Sequence, residues 1–241
     1  MGHHETRAAR LKAVDSTGES AQASPLLERE QFGSAADYSY AVLRSEIVEG
    51  RFMPGRRMRE VELSEWLGVS RTPLRQALSR LEVEGLLVVT PRTGLVVASL
   101  DEEATGELYD MREALEGAAA SLAARHASPR EMAVLKDMVA AEARLARDPE
   151  TRAQHNLAFH RAIYAAAHNR FLVKSLHALH DAIALLGPTT FAAPGRPDKA
   201  QREHARIVEA IAAQDAEQAE AEARAHVRAA RGIRARMRGT D

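Results

Sequence analysis

The 241 residues include no cysteine, so a disulfide framework, a thiolate zinc site and a cysteine nucleophile are all excluded, and a reducing cytoplasm is the expected compartment. Aromatic residues make up only 4% of the chain, which leaves the core to aliphatic side chains on amphipathic helices. There is no run of about 18 apolar residues, and the first residues lack the basic-then-apolar order of a secretory signal. No membrane partner is expected. Net charge is nearly absent too, since 33 Lys and Arg face 34 Asp and Glu for a total of -1. A balanced total is neutral evidence on nucleic acid, because DNA binding needs a local basic face and not a basic sum.

What is present is mainly helix. Residues 1–33 are mixed polar with no sustained apolar period and read as a disordered tail. From Ala35, apolar residues at Tyr38, Val42, Leu43 and Ile47 have helical spacing, which Gly50 and Pro54-Gly55 stop. Glu60 to Leu67 forms a short helix ended by Gly68, and Ser70 can cap the next, with Pro73 tolerated in its first turn. Apolar, β-branched runs at Leu86–Thr90 and Leu95–Ala98 flank Pro91-Arg92-Thr93-Gly94 and predict a β-hairpin. Beyond Asp101 the chain reads as helix, broken at Ser128-Pro129, near Asp148-Pro149, at His168-Asn169, across Gly187 to Pro197 and near Gln214-Asp215. The fold expected is a winged helix-turn-helix head over 34–100 with a small hairpin wing, followed by an all-helical bundle of about six helices over 101–235.

The second helix of the head predicts a DNA-reading face. Leu74, Ala77, Leu78 and Leu81 share its apolar side, which turns Arg71, Thr72, Arg75, Gln76 and Ser79 outward. Arg71 and Arg75, one turn apart, place two guanidinium forks on the amino-terminal half of a helix that can enter a major groove, where arginine binds guanine bidentately. Thr72 and Gln76 suit phosphates or base edges, and Arg56, Arg57 and Arg59 just ahead can neutralise backbone charge. Arg92 and Gly94 at the hairpin tip would reach the adjacent minor groove.

Ten histidines invite a metal reading only where helices can bring them to one place. Asn156 and His160 lie one helical turn apart and can reach the same ion. His204 and His226 are 22 positions apart, about 33 Å along one straight helix. The break near Gln214-Asp215 falls almost midway, so an antiparallel pair would level them. The break at His168-Asn169 does the same for His160 and His177, which makes His177 a reserve ligand. The basic end of the last helix, Arg231, Arg234, Arg236 and Arg238, is favourable at a helix carboxyl terminus and needs no ligand.

Two resemblances follow from these residues. Leu43, Ile47, Gly50, Pro54-Gly55, Leu63, Leu67 to Pro73, Arg75, Ala77-Leu78, Leu81-Glu82, Glu84-Gly85 and Gly94 resemble the winged helix-turn-helix of the GntR family of bacterial regulators. That resemblance implies operator contacts by Arg71, Arg75 and Gly94, with Gln76 standing where glutamate is frequent. From about Asp101 to Arg231, Arg112, Leu115-Glu116, Leu122-Ala123-Ala124, Asn156, Phe159-His160, Asn169, Glu203-His204, Ile207, Ala210-Ile211, Asp215 and His226 resemble the FCD ligand-binding domain of the FadR subfamily.

The second resemblance implies a divalent metal, zinc or nickel, held by Asn156, His160, His204 and His226, with Asn156 replacing the usual aspartate. It also implies a small carboxylate effector met by Arg112, for which the plain alternative is an ion pair with a helix neighbour. The function expected is a ligand-controlled transcriptional regulator, acting as a homodimer on double-stranded operator DNA. A metal sensor and a metal-dependent enzyme are the alternatives for the bundle. The enzyme needs a general base, and the sequence places no second acidic cluster to serve as one.

Overall fold

The computed structural model describes residues 27–145 and 148–239, so the expected tail lies outside the described residues as far as residue 26. The chain divides into two compact units between Ser99 and Leu100.

In the first unit, helix α1 (Ala35–Val48) starts where the Ser34 side chain accepts from the Asp37 backbone N–H. Helix α2 (Glu60–Leu67) ends at Gly68, whose φ of 64° is a left-handed turn that suits glycine. Helix α3 (Arg71–Val83) follows after two residues. Ser70 occupies its amino-cap position, yet its side chain makes no capping hydrogen bond. Strands β1 (Leu87–Thr90) and β2 (Gly94–Val97) pair antiparallel from Leu87 opposite Val97 to Thr90 opposite Gly94. Leu43, Ile47, Leu74, Leu81, Leu87 and Val97 are all buried, which seats α3 on α1 and the hairpin beneath it.

Two expectations for this unit need correction. The tail does not run unstructured to residue 33: Arg29–Gln31 forms a turn of 3-10 helix. Phe32 then sets its ring edge-on to Tyr38 at 5.8 Å, and Arg29 donates to the Gly68 carbonyl. The basic segment ahead of α2 is also not a plain loop, because Arg57 bridges to Val96 and Met58 N–H donates to the Leu95 carbonyl. It lines β2 on the side away from β1.

The second unit contains, among the described residues, six α-helices: α4 (Glu102–His126), α5 (Pro129–Glu142), α6 (Pro149–Ala166), α7 (Arg170–Ala184), α8 (Arg196–Ala212) and α9 (Ala216–Arg238). The breaks carry their own chemistry. Ser128 and Glu131 form a capping box at the start of α5. Asp148, Asn169 and Asp215 each cap the helix that follows. The core joins Ala119, Ala120 and Ala123 of α4 to Phe159 and Ile163 of α6, Leu176 of α7, Ile207 and Ile211 of α8 and Ala219 of α9. Small residues on α4 and α9 let those two helices approach closely, as an aromatic-poor composition requires.

Helix α9 runs to Arg238, three residues beyond the expected end at 235, because its basic end is held by protein. Arg238 donates to the carbonyls of Leu100 and Asp101, Arg234 to those of Leu186 and Pro188, and Arg231 pairs with Asp110. These bonds staple α9 to the start of α4 and to the turn after α7.

Candidate functional site

On α3, the residues that the period turned outward are exposed: Arg71, Thr72, Arg75, Gln76 and Ser79, over a buried Leu74, Ala77, Leu78 and Leu81. Arg75 is not idle. Its Nε donates to both oxygens of Glu60 at 2.9 and 3.0 Å, which fixes the stem while the side chain stays 65% exposed. The three basic residues ahead of α2 differ: Arg56 stacks on Phe52 at 3.8 Å, Arg59 pairs with Glu62, and Arg57 is exposed. In the hairpin, Arg92 and Gly94 are exposed at the tip, and a φ of 74° at Gly94 lets the chain turn back into β2.

In the second unit, α6, α8 and α9 bring His160, His204 and His226 together in the core. One ring nitrogen from each lies within 4.8 Å of those of the other two, and the Nε2 atoms of His160 and His226 are 3.2 Å apart. The turn at Gln214-Asp215 folds α9 back along α8 and so levels His204 with His226. All three side chains are nearly inaccessible.

What surrounds the rings fixes their proton positions. His204 Nδ1 is hydrogen-bonded to Glu142 at 2.9 Å and His226 Nδ1 to Glu203 at 2.9 Å. His160 Nδ1 lies 3.0 Å from Glu116 Oε2, close enough for Coulomb attraction though off the line of a hydrogen bond. A carboxylate only accepts, so the neutral rings of His204 and His226 carry their proton on Nδ1 and turn the Nε2 lone pair to the centre. Burial first, then the neighbouring histidine rings, holds the His226 imidazole well below its ordinary value; burial likewise lowers His204 in spite of Glu142. Lone pairs facing one another in a dry core repel unless a cation lies among them.

His204 Nε2, in the cluster, has no partner, and neither has the buried Oδ1 of Asn156, four residues before His160 on α6. An N···N separation of 3.2 Å compares with about 3.3 Å between two nitrogens that ligate one tetrahedral zinc at 2.0–2.1 Å. The three imidazoles thus form a donor set that fits a borderline divalent ion.

Comparison with known proteins agrees with both units. The model of the gntR family of bacterial regulatory proteins matches residues 37–97, and that of the FCD domain matches residues 107–229, just over half of the chain. An uncharacterized HTH-type transcriptional regulator of Bacillus subtilis, YdhC, is 32% identical over 190 residues, 78% of this chain and 85% of its own. The chain belongs to the GntR family, with an FCD domain. The Nta operon transcriptional regulator of Aminobacter aminovorans is 45% identical over 92 residues, 38% of this chain and 44% of its own length. Among solved structures, Escherichia coli McbR/YncC superposes with a TM-score of 0.74 over 86% of this chain and 99% of that one, at 23% identity, which shows the shared fold. The curated relatives named here are transcriptional regulators and not enzymes, and this GntR protein is a transcriptional regulator with a DNA-binding winged helix-turn-helix.

Two expectations for the regulator's bundle change. Arg112 is 6% exposed, but its Nε is already bonded to Glu116 Oε1 at 2.8 Å. It thus already forms a buried ion pair with a helix neighbour, and that same Glu116 stands beside His160. Burial opposes its charge, but Glu116, with Tyr109 and Tyr164, outweighs burial and holds the guanidinium above its ordinary value. Burial alone would raise Glu116, yet Arg112 and then His160 hold its carboxyl well below the usual range. His177 is exposed, and His180 takes the inward position, its ring 6.2 Å from that of Tyr164. Counting back from the break gave the right height on α7 but the wrong side. Leu176 and His180 form the inward stripe, and His177 is rotated about 100° from Leu176.

Sequence reasoning missed Glu116, Glu142 and Glu203 as partners of the three rings. A signal existed for two of them. Glu116 is one turn after Arg112, and Glu203 immediately precedes His204; Glu142, 62 positions from its ring, offered none.

Proposed function

We propose that this regulator is ligand-gated, with a divalent metal, zinc or nickel, bound in its FCD domain by His160, His204, His226 and Asn156, and a small carboxylate as effector. The observation that carries the reading is the convergence of three imidazoles whose Nδ1 atoms all face buried glutamates while His204 Nε2 and Asn156 Oδ1 have no partner. When bound there, the ion supplies positive charge and open coordination for an anionic oxygen. Asn156 brings no charge of its own, where a carboxylate would cancel part of the ion's, so the centre is left more attractive to an anion.

The chain's own residues orient and insulate. Glu142 and Glu203 hold the His204 and His226 rings in the ligating tautomer, and Glu116, itself gripped by Arg112, sets a negative charge beside His160. Arg196 donates to Glu203 at 2.6 Å and keeps that carboxylate in place. The guanidinium of Arg112 beyond its Nε is the group we assign to the effector carboxylate. In the head, Arg71, Arg75, Thr72 and Gln76 read the operator, with Arg92 and Gly94 beside them at the wing. A homodimer on paired half-sites doubles what one short helix can discriminate. Effector binding then changes operator affinity through the coupling between the two sites.

Thermal unfolding of the metal-stripped full chain tests the reading, with zinc or nickel added and a series of small carboxylic acids on top. A ligand at about 100 times its Kd adds about 2.7 kcal/mol to stability. We expect metal to raise Tm, and one class of carboxylate to raise it further only in the metal-loaded protein and to shift binding to the chain's own promoter region. If metal alone moves operator affinity and no acid adds to it, the protein is a metal sensor. If metal leaves both Tm and operator binding unchanged, the centre is structural and the reading falls.

A further inference from the structure

A cavity that none of the three rings lines lies between the start of α8 and the end of α9, with a volume of about 590 Å³. Four cations line it, Arg196, Lys199, Arg202 and Arg236, and no acidic residue does. Its remaining wall is apolar, with Pro194 and Ile233 among the contributors. Nothing assigned to the metal centre or to the DNA face uses Lys199, Arg202 or Arg236.

The cations are not equivalent. Arg196 is 2% exposed, so its charge has been taken out of water, which costs free energy unless all of its donors are met. One is met, because Nη1 donates to Glu203 at 2.6 Å; Nε is buried without a partner. Lys199 comes only within 4.0 Å of the same Glu203 and is 56% exposed, and Arg202 has no ion-pair partner among the described residues. Glu203 offsets one positive charge at most, so the cavity keeps an excess of positive charge around an arginine with an unmet donor. The amino-terminal turn of α8, 17 residues long, adds its own partial positive charge to the same wall.

A carboxylate does not use this much charge, whereas a phosphomonoester brings about -1.5 to -2 and three acceptor oxygens. The volume exceeds what a bare phosphate fills and falls within the range of about 300–1,000 Å³ seen for small-molecule sites. The apolar wall can take an organic body. We propose that this cavity is a second ligand site of the FCD domain, for a small phosphorylated molecule, with Lys199 and Arg202 as its principal phosphate contacts and Arg196 behind them. Glu203 accepts from both Arg196 and His226, so the cavity wall and the ring cluster meet at one carboxylate.

Calorimetric titration of the metal-free full chain with glycerol 3-phosphate tests the site, with glycerol as the uncharged control. Saturable binding of the phosphate ester and none of glycerol is expected. Replacing both exposed cations, Lys199→Ala with Arg202→Ala, should weaken it about a hundredfold or more at unchanged Tm, because each charge-assisted bond is worth about 1.5–3 kcal/mol. The exchange Lys199→Arg with Arg202→Lys should keep it. Absence of saturable binding, or equal binding by the double alanine variant, overturns the proposal.

Discussion

On α3 of the head, Arg71, Thr72, Arg75 and Gln76 stand in water while Leu74, Ala77, Leu78 and Leu81 beneath them hold the helix. In the bundle the order is reversed: His160, His204 and His226 lie in the core with Glu116, Glu142, Glu203, Arg112 and Arg196 packed around them. On the proposed reading, recognition and folding in the head are carried by different residues, so a change to one leaves the other alone. In the bundle the same reading has the same side chains do both. Removing any one strands a charge or a donor in a dry place.

The largest effect that would break this comparison lies in the head. Replacing Arg71 and Arg75 together by alanine removes two arginine contacts, each worth about 1–3 kcal/mol of base discrimination. A mobility shift on the chain's own promoter region should show operator affinity falling about a hundredfold or more. Tm should barely move, since the Arg75–Glu60 pair is exposed and exposed pairs contribute about 0–1 kcal/mol. Retention of operator binding would sink the assignment of this face, and a marked loss of stability would deny that the head separates the two duties.

The bundle should behave in the opposite way. Glu142 touches no candidate ligand position directly; it holds His204 Nδ1 at 2.9 Å. Glu142→Ala should weaken metal binding about 10–100-fold, as loss of such outer partners does. It should also destabilise the metal-free protein by about 1–3 kcal/mol, because a buried ring N–H loses its acceptor. Competition with a chromogenic chelator and denaturant unfolding read the two quantities on the same samples. A change in one without the other would show that positioning and folding are separable here as they are in the head.

The same contrast explains what could be read in advance. The head was legible because period and punctuation are local: Gly68 ends α2, two residues pass, and the spacing of Leu74, Leu78 and Leu81 decides which arginines face out. The six helices and their breaks were legible for the same reason, and the turn at Gln214-Asp215 placed His204 level with His226. The glutamates behind the rings were not, because Glu142 meets His204 only through the packing of α5 on α8. His177 failed for a finer reason. Spacing along the chain gives height on a helix, but the inward side of α7 is set by Leu176 and His180 against the core.

His180 supplies the smallest and most specific test of how buried groups set stability. Burial first, and then the nearby His160, lowers its imidazole from 6.5 to about 3. The unfolded chain takes up a proton near pH 6.5, and the folded one resists doing so until about pH 3. The stability from keeping this ring neutral is therefore fully present above pH 6.5 and lost progressively as the pH falls towards 3. One proton taken up only by the unfolded chain gives a slope of up to about 1.4 kcal/mol per pH unit. His204 and His226, lowered in the same direction, add to the acid slope and remain in any His180 variant. Replacing His180 by glutamine, which keeps a polar side chain and never charges, should thus flatten the dependence of metal-free stability between pH 6.5 and 5 without abolishing it. Denaturant unfolding at several pH values measures the difference in slope. Parallel curves for the wild type and His180→Gln would mean that this ring reaches water in the folded state, and that the interior of α7 is more open than that of α8 and α9.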